Sequence, residues 1–346
     1  MDRRQLLIAG LASPLAAAYP AFADWPVFIG DMHFHLFFFG RNPASSRPLA
    51  KLMADGNATL VAWSLVGDVP WIRPAERGLH QIGTPGRGEA LRWFQDELAR
   101  IKSHIAAQNL KIVRTPGDID LALQGDPHVV LSVEGASFLD EDPGQLEMAY
   151  QQGVRHLQLV HYIKNPLGDM QTERPELGGL TGAGQRIVEE CNRLGILVDL
   201  AHSTPEAVTQ VLAISKAPIV WSHSSVTADR KPTWSMVPWR ARQLGLDTAK
   251  AITEKGGVIG LWTLRSDVGE TIDGYADRLL QMADWLGEDH VAFGTDMNAV
   301  TNPAITSYAD LRRVISVLER RRVEPGRIRK LAIENYARVL RRAIAK

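Results

Sequence analysis

From position 27 onward, short apolar runs alternate with longer stretches in which apolar residues recur at about every third or fourth position. Eight of the short runs read as strands: residues 27–35, 58–66, 128–135, 154–162, 196–202, 218–224, 257–264 and 290–296. The intervening pattern predicts helices at 184–194, 205–214 and 272–286, with closing helices at 311–318 and 327–345. Strands alternating with helices imply a parallel sheet. Eight such units predict a closed barrel rather than an open sheet. The expected class is therefore α/β, a (β/α)8 TIM barrel built by residues 24–346 as one domain. Residues 40–51, with Pro and Arg, and residues 227–242, with Pro, Arg and Trp, are expected to run over the barrel mouth.

The ends of these runs are where the polar chemistry lies. The first ends Asp31-Met32-His33-Phe34-His35, the third Val133-Glu134-Gly135 and the fourth Val160-His161-Tyr162. The fifth ends Asp199-Leu200-Ala201-His202, the sixth Trp221-Ser222-His223-Ser224 and the eighth Gly294-Thr295-Asp296. In a parallel barrel all carboxyl ends of strands open on one face, so residues far apart in sequence meet there. Side chains alternate along a strand, so His33 and His35 point the same way and can enter one coordination sphere. Glu134 has two oxygens and can bridge to a second ion, completed by His202 and His223. Such ligands suit zinc, and also manganese, cobalt or iron. Two ions sharing a water would lower its pKa and clamp a tetrahedral intermediate. A single strand-end histidine is commonly structural. Five such residues plus Asp296 at one end of successive strands form a pattern that chance explains poorly. His80, His104, His128, His156 and His290 fall in loops or helices, at strand starts or mid-strand, and are read as non-ligands.

Composition narrows the options. Lys plus Arg and Asp plus Glu each number 39, which gives no basic surface for nucleic acid. Cys191 is the sole cysteine, so an intrachain disulfide and a cysteine-rich zinc ribbon are excluded, and any metal must rest on His and carboxylates. Arg3-Arg4 precede the apolar run Leu6-Leu7-Ile8-Ala9-Gly10-Leu11-Ala12, and Ala21-Phe22-Ala23 offers a cleavage site before Asp24. Residues 1–23 are expected to be an export signal of twin-arginine type, or an ordinary secretory signal with two adjacent arginines. The run, broken at Ser13-Pro14, is too short for a stable membrane span. The protein is expected to be periplasmic or secreted, with the export machinery, and a second copy in a homodimer, as its candidate protein partners.

The motifs together resemble the zinc-dependent membrane (renal-type) dipeptidases. The resemblance is carried by Ser132-Val133-Glu134-Gly135-Ala136, His161 with Asn165-Pro166-Leu167, Leu180-Thr181 and residues 184–202, Ser222-His223-Ser224, residues 256–260, 289–296, and Asn335 with Arg338-Val339-Leu340. It keeps motif order over nearly the whole chain after the signal and is weak from about 40 to 127. It implies two zinc ions, with Glu134 bridging, His33 and residue 35 on one ion, and His202 and His223 on the other. It further implies that Asp296 shuttles the proton of the attacking water to the leaving nitrogen. By the same match, His161 polarises the scissile carbonyl or stabilises the oxyanion. The substrate-binding arginine of the family corresponds to Arg242, with Arg230 as the second choice, because the loop carries an insertion.

This chain departs from the family in three places. His35 replaces the aspartate of His-x-Asp, Met297-Asn298-Ala299 replaces Phe-Asp-Gly, and the loop after Asp229 is enlarged and bears Trp234 and Trp239. The leading expectation is a metal-dependent hydrolase that cleaves a dipeptide or dipeptide-like amide with a metal-bridging hydroxide. Two alternatives stand beside it: an amidohydrolase acting on a lactam, lactone or N-acyl amino acid, and a non-enzymatic periplasmic metal- or ligand-binding protein. His35 adds positive charge to the site unless a nearby carboxylate such as Asp31 offsets it.

Overall fold

The computed structural model describes residues 26–36, 47–75, 78–140, 142–228 and 242–345. The expected signal, most of the 40–51 excursion, Arg230, Trp234 and Trp239 lie outside the described residues. Eight parallel strands follow one another around a barrel in chain order: β1 (Ile29–Phe34), β2 (Ala58–Val66), β3 (His128–Glu134), β4 (Val154–Gln158), β5 (Leu197–Asp199), β6 (Val220–Ser224), β7 (Val258–Leu261) and β8 (Val291–Phe293). Each lies within a run expected from the sequence. The ring closes just beyond β8, where Asp296 N donates to His33 O (2.9 Å) and His35 N to Met297 O (3.2 Å). The Asn298 side-chain amide also donates to His35 O at 2.5 Å, so the departure at Met297-Asn298 takes part in this seam.

The helices start where the sequence offers caps. Thr181, Thr204, Thr271 and Ser307 accept backbone N–H groups of Gly184, Ala207, Gly274 and Asp310, which satisfies donors that a first helical turn cannot pair internally. The helices Gly182–Leu194, Pro205–Ile214 and Ile272–Leu286 turn apolar faces to the sheet; in the first, Ile187, Val188, Cys191 and Leu194 are buried at helical spacing. A second apolar cluster fills the barrel, from Met32, Leu60, Val130, Val220 and Val258 down to Tyr336, Val339 and Leu340 of the last helix, Asn335–Ile344. That helix closes the end opposite the strand carboxyl termini, leaving the other end for chemistry. His128 and His290 sit at strand starts and bond the carbonyls of Asp126 and Gly257 (2.8 Å each).

Several elements lie outside the predicted pattern, among them the following. An antiparallel hairpin pairs Ile72–Ala75 with Gly78–Gln81, and Lys111–Ile112 adds a short parallel strand beside the start of β3. The helix Glu89–Ala106 buries Ala90, Phe94, Leu98, Ile101 and Ile105, a spacing that is legible in the sequence. Among the described residues, no helix is long and apolar enough to cross a membrane.

Candidate metal centre

Seven side chains from six strands converge at the open end of the barrel: His33, His35, Glu134, His161, His202, His223 and Asp296. Glu134 stands at their centre. Its Oε1 lies 3.2 Å from His202 Nε2, 3.3 Å from His33 Nε2, 3.4 Å from His161 Nε2 and 3.5 Å from His223 Nε2. Its Oε2 lies 3.4 Å from His35 Nε2. His33 and His35 bring their Nε2 atoms to 3.0 Å of each other, and His202 and His223 to 3.1 Å. The alternation argument for His33 and His35 thus leads to the right meeting point, even though the regular β1–β2 pairing breaks between Asp31 and Phe34.

For His33, His35 and His223 the far ring nitrogens explain why the Nε2 atoms converge. His35 Nδ1 donates to the Ser64 carbonyl at 2.9 Å, which leaves a lone pair on Nε2. His33 Nδ1 is 3.0 Å from Ser64 Oγ and 3.3 Å from Ser222 Oγ, and His223 Nδ1 is 2.8 Å from Ser222 Oγ. Burial, reinforced by the Arg242 charge and neighbouring imidazoles, pushes His202 and His223 well below the usual imidazole range, so both rings are neutral. Burial opposes the charge on Glu134, but the surrounding imidazoles outweigh it and hold that carboxyl well below its ordinary range. For His202, His223 and Glu134 these are the protonation states that metal binding requires.

The spacing fits as well. Two nitrogen ligands on one tetrahedral zinc ion stand about 3.3 Å apart, and the pairs above lie between 3.0 and 3.5 Å. Three overlapping groups have the geometry for an ion: His33 with His35 and Glu134, Glu134 with His202 and His223, and His33 with His223 and Asp296. The first two share Glu134. The five histidines read as non-ligands, His80, His104, His128, His156 and His290, belong to none of them.

Two members of the cluster adopt left-handed backbone, His202 at φ 70° and Asp296 at φ 53°. Each such conformation costs about 1–3 kcal/mol in a residue with a side chain. Buried carboxylates fasten the neighbouring backbone. Asp199 accepts from Ala201 N (2.9 Å) and Ser222 N (3.0 Å), which ties the ends of β5 and β6 together beneath His202 and His223. Asp31 does the same for β1 and β8, accepting from His33 N (3.2 Å), Thr295 N (2.9 Å), Thr295 Oγ1 (2.6 Å) and Tyr308 Oη (3.1 Å). Burial outweighs these bonds and raises its pKa. The hydrogen bonds of Asp31 thus run to His33, Thr295 and Tyr308. The carboxylates facing His35 are Asp296 (3.3 Å) and Glu134, and together they outweigh burial and raise the His35 pKa.

The mouth carries further groups. Arg242 is buried, bonds Gln171 Oε1, approaches His223 Nε2 at 2.9 Å and packs over Trp262. Gln171 is held there by its own N–H, which donates to His202 O at 2.6 Å. Tyr162 packs edge-on against His161 and His202, and burial pushes its phenol up to about 12. His161 Nδ1 lies 2.7 Å from Asp68 Oδ1; burial lowers its pKa, but Asp68 and Glu134 outweigh burial and raise it. Asp68 and Gln171 are residues that sequence reading alone missed. A signal existed for Asp68, since Gly67-Asp68 ends β2 at the same face as the other site residues.

Residues 45–346 match the family model of the membrane dipeptidases, peptidase family M19. A dipeptidase of Clonostachys rogersoniana is 27% identical over 353 residues, covering 96% of this chain and 88% of the relative. A dipeptidase of Claviceps purpurea is 25% identical over 303 residues, covering 84% of this chain and 68% of the relative. A metallopeptidase of Rhodobacter sphaeroides, solved with a phosphinate mimic of the dipeptide L-Ala-D-Ala, superposes with TM-score 0.76 at 21% identity, covering 92% of this chain and 99% of that one. A solved M19 dipeptidase gives TM-score 0.77 at 22% identity, with the same coverage.

Proposed function

The chain belongs to the membrane dipeptidase family and is a metal-dependent hydrolase, and from that premise we propose that it is an exported dipeptidase working with two divalent ions, zinc first. The observation that carries this reading is the pair of ligand groups sharing Glu134. His33, His35 and Glu134 would hold one ion, and Glu134, His202 and His223 the other. Bound there, the ions would acidify a water and polarise the scissile carbonyl.

The chain's own groups do the rest. Asp296, 3.3 Å from His35 Nε2 and 9% exposed, is within reach of both cluster and solvent, as a proton shuttle requires. His161 turns Nε2 toward Glu134 and is positioned to bond the carbonyl oxygen. The Arg242 guanidinium, backed by Gln171, pairs with the substrate carboxylate. The ligand of the Rhodobacter sphaeroides metallopeptidase supports a dipeptide with a carboxyl-terminal D-residue as the first substrate to try. The Arg3-Arg4 signal pattern supports a periplasmic or secreted location. His35 favours a second reading, an amidohydrolase for N-acyl amino acids, lactams or lactones, because an imidazole in place of a carboxylate disfavours a cationic amine nearby.

The test combines metal analysis with a panel of free dipeptides, N-acyl amino acids, lactams and lactones. Expected are about two ions per chain, loss of activity on chelation, return with Zn²⁺ or Mn²⁺, and dipeptides as the best substrates. Full activity without metal refutes the metal assignment. Cleavage confined to the other classes selects the second reading.

A further inference from the structure

We propose that Asp68 is a positioning residue for His161, fixing which ring nitrogen faces the substrate; this rests on the dipeptidase reading of the site. Asp68 is buried, and both oxygens are committed. Oδ1 lies 2.7 Å from His161 Nδ1, while Oδ2 accepts from Tyr162 N (3.0 Å) and Ile163 N (3.2 Å). The carboxylate thus grips the ring and the backbone on either side of it. With Nδ1 held by Asp68, anything His161 exchanges with substrate passes through Nε2, which faces Glu134 at 3.4 Å.

The ordinary role of an aspartate at this place in the chain would be to cap a helix. Asp68 does occupy the N-cap position of the 3-10 turn Val69–Trp71, yet its side chain makes no capping bond. It reaches instead across the barrel mouth, from the end of β2 past β3 to the segment after β4. The backbone between is shaped for that reach. Gly67 N donates to Glu134 O at 2.8 Å, and a Cβ on Gly67 would stand 2.2 Å from Gly135 O. Gly135, at φ 86°, leaves room where a Cβ would meet that of His161 at 3.0 Å. Any side chain at residue 67 would push Asp68 away from His161.

Asparagine separates the carboxylate's function from its size. With two backbone N–H groups facing Oδ2, the amide nitrogen must turn to His161 and donate to Nδ1, which drives the ring proton to Nε2. The experiment compares Asp68→Asn in the parent and in a His161→Ala background, using zinc-loaded protein and the best-cleaved dipeptide. In the parent background kcat should fall about 10- to 100-fold, with KM within about twofold and the metal content unchanged. In the His161→Ala background the same change should cost less than about twofold, because a positioning residue acts only through its partner. Equal losses in both backgrounds, a loss carried by KM, or loss of metal would overturn the proposal. Histidine-selective ¹⁵N NMR of the zinc-loaded protein provides an arm independent of activity. The His161 ring proton should sit on Nδ1 in the parent and on Nε2 in Asp68→Asn; an unmoved proton overturns the proposal. If the protein cleaves no dipeptide, the functional reading fails and the NMR arm still decides the role of Asp68. Should Asp68→Asn not fold, Asp68→Ser keeps an oxygen for the backbone N–H groups and enters the same comparisons. There the expected signature is loss of the fixed Nδ1 proton, with the same non-additivity, and additive losses count against the proposal.

Discussion

Exchanging His35 for Asp and for Asn tests whether the cluster is one electrostatic unit. The two variants are isosteric and differ by one charge. In metal-free protein, Asp at this position adds a third carboxylate to Glu134 and Asp296, whose oxygens lie 3.4 and 3.3 Å from His35 Nε2. The shorter side chain would hold its charge about 5 Å from each, where unit charges repel by roughly 3 kcal/mol at an effective dielectric of 20. The penalty has a ceiling, because one carboxyl can take up a proton: raising an ordinary aspartate from pKa 3.9 to pH 7 costs about 4 kcal/mol. The Asp variant should therefore be about 2–4 kcal/mol less stable than the Asn variant at pH 7, or roughly 3–6 °C in Tm for a chain of this size. The sign with pH follows from proton uptake. A carboxyl whose folded pKa is raised binds more protons in the folded state, so relative stability falls as pH rises above about 4 and recovers below it. Zinc should reverse the order, since an anionic ligand binds the ion more tightly than an amide does, by tenfold or more. Thermal unfolding of metal-free and zinc-loaded protein at pH 4.5 and 7 measures all of this. Identical Tm values for the two metal-free variants at pH 7 would refute the like-charge cluster, as would a gap that does not shrink in acid.

Asp296→Asn should lose on the order of 10²-fold or more in kcat while keeping its metal, whereas Glu134→Gln should lose both; equal metal loss, measured by elemental analysis, would make Asp296 chiefly a ligand. Arg242→Met should raise KM about 10- to 100-fold for substrates with a free carboxylate and leave carboxyl-amidated analogues nearly unaffected, and a uniform loss across both classes would remove Arg242 from carboxylate recognition. Asp199 is held below its ordinary pKa; burial opposes this, but hydrogen bonds and the nearby His156 prevail, so its contribution is present above about pH 4 and is lost as pH falls through the depressed value. Asp199→Asn should therefore destabilise by about 3 kcal/mol near pH 7 and flatten the acid limb of stability against pH; an unchanged limb in denaturant titrations would show that this carboxylate does not drive acid unfolding.

The barrel and the cluster of polar residues at its mouth were legible because both depend on local pattern. Strand runs show as apolar segments of the right length, and a parallel barrel sends every carboxyl end to one face, so His33, His35, Glu134, His202, His223 and Asp296 could be grouped without coordinates. The same logic separates His128 and His290, at strand starts, from the site. Arg242 required a count across an enlarged loop, and its burial against Gln171 follows from the segment after β4 folding back onto His202, which no periodicity announces.

What the sequence determined by itself is the order of strands and the residue at the mouth end of each, since both follow from periodicity and chain direction. Tertiary structure alone decided the partners. Asp31 could be assigned to His35 by proximity in the chain, yet its oxygens turn to Thr295 and Tyr308, because closing the barrel brings β8 and the helix Tyr308–Arg320 to that side. Asp68 looks like a cap for its own turn, yet bonds His161, 93 residues away. Hydrogen bonds depend on distances of about 3 Å, and the curvature of the closed sheet sets those distances between segments that the chain keeps far apart.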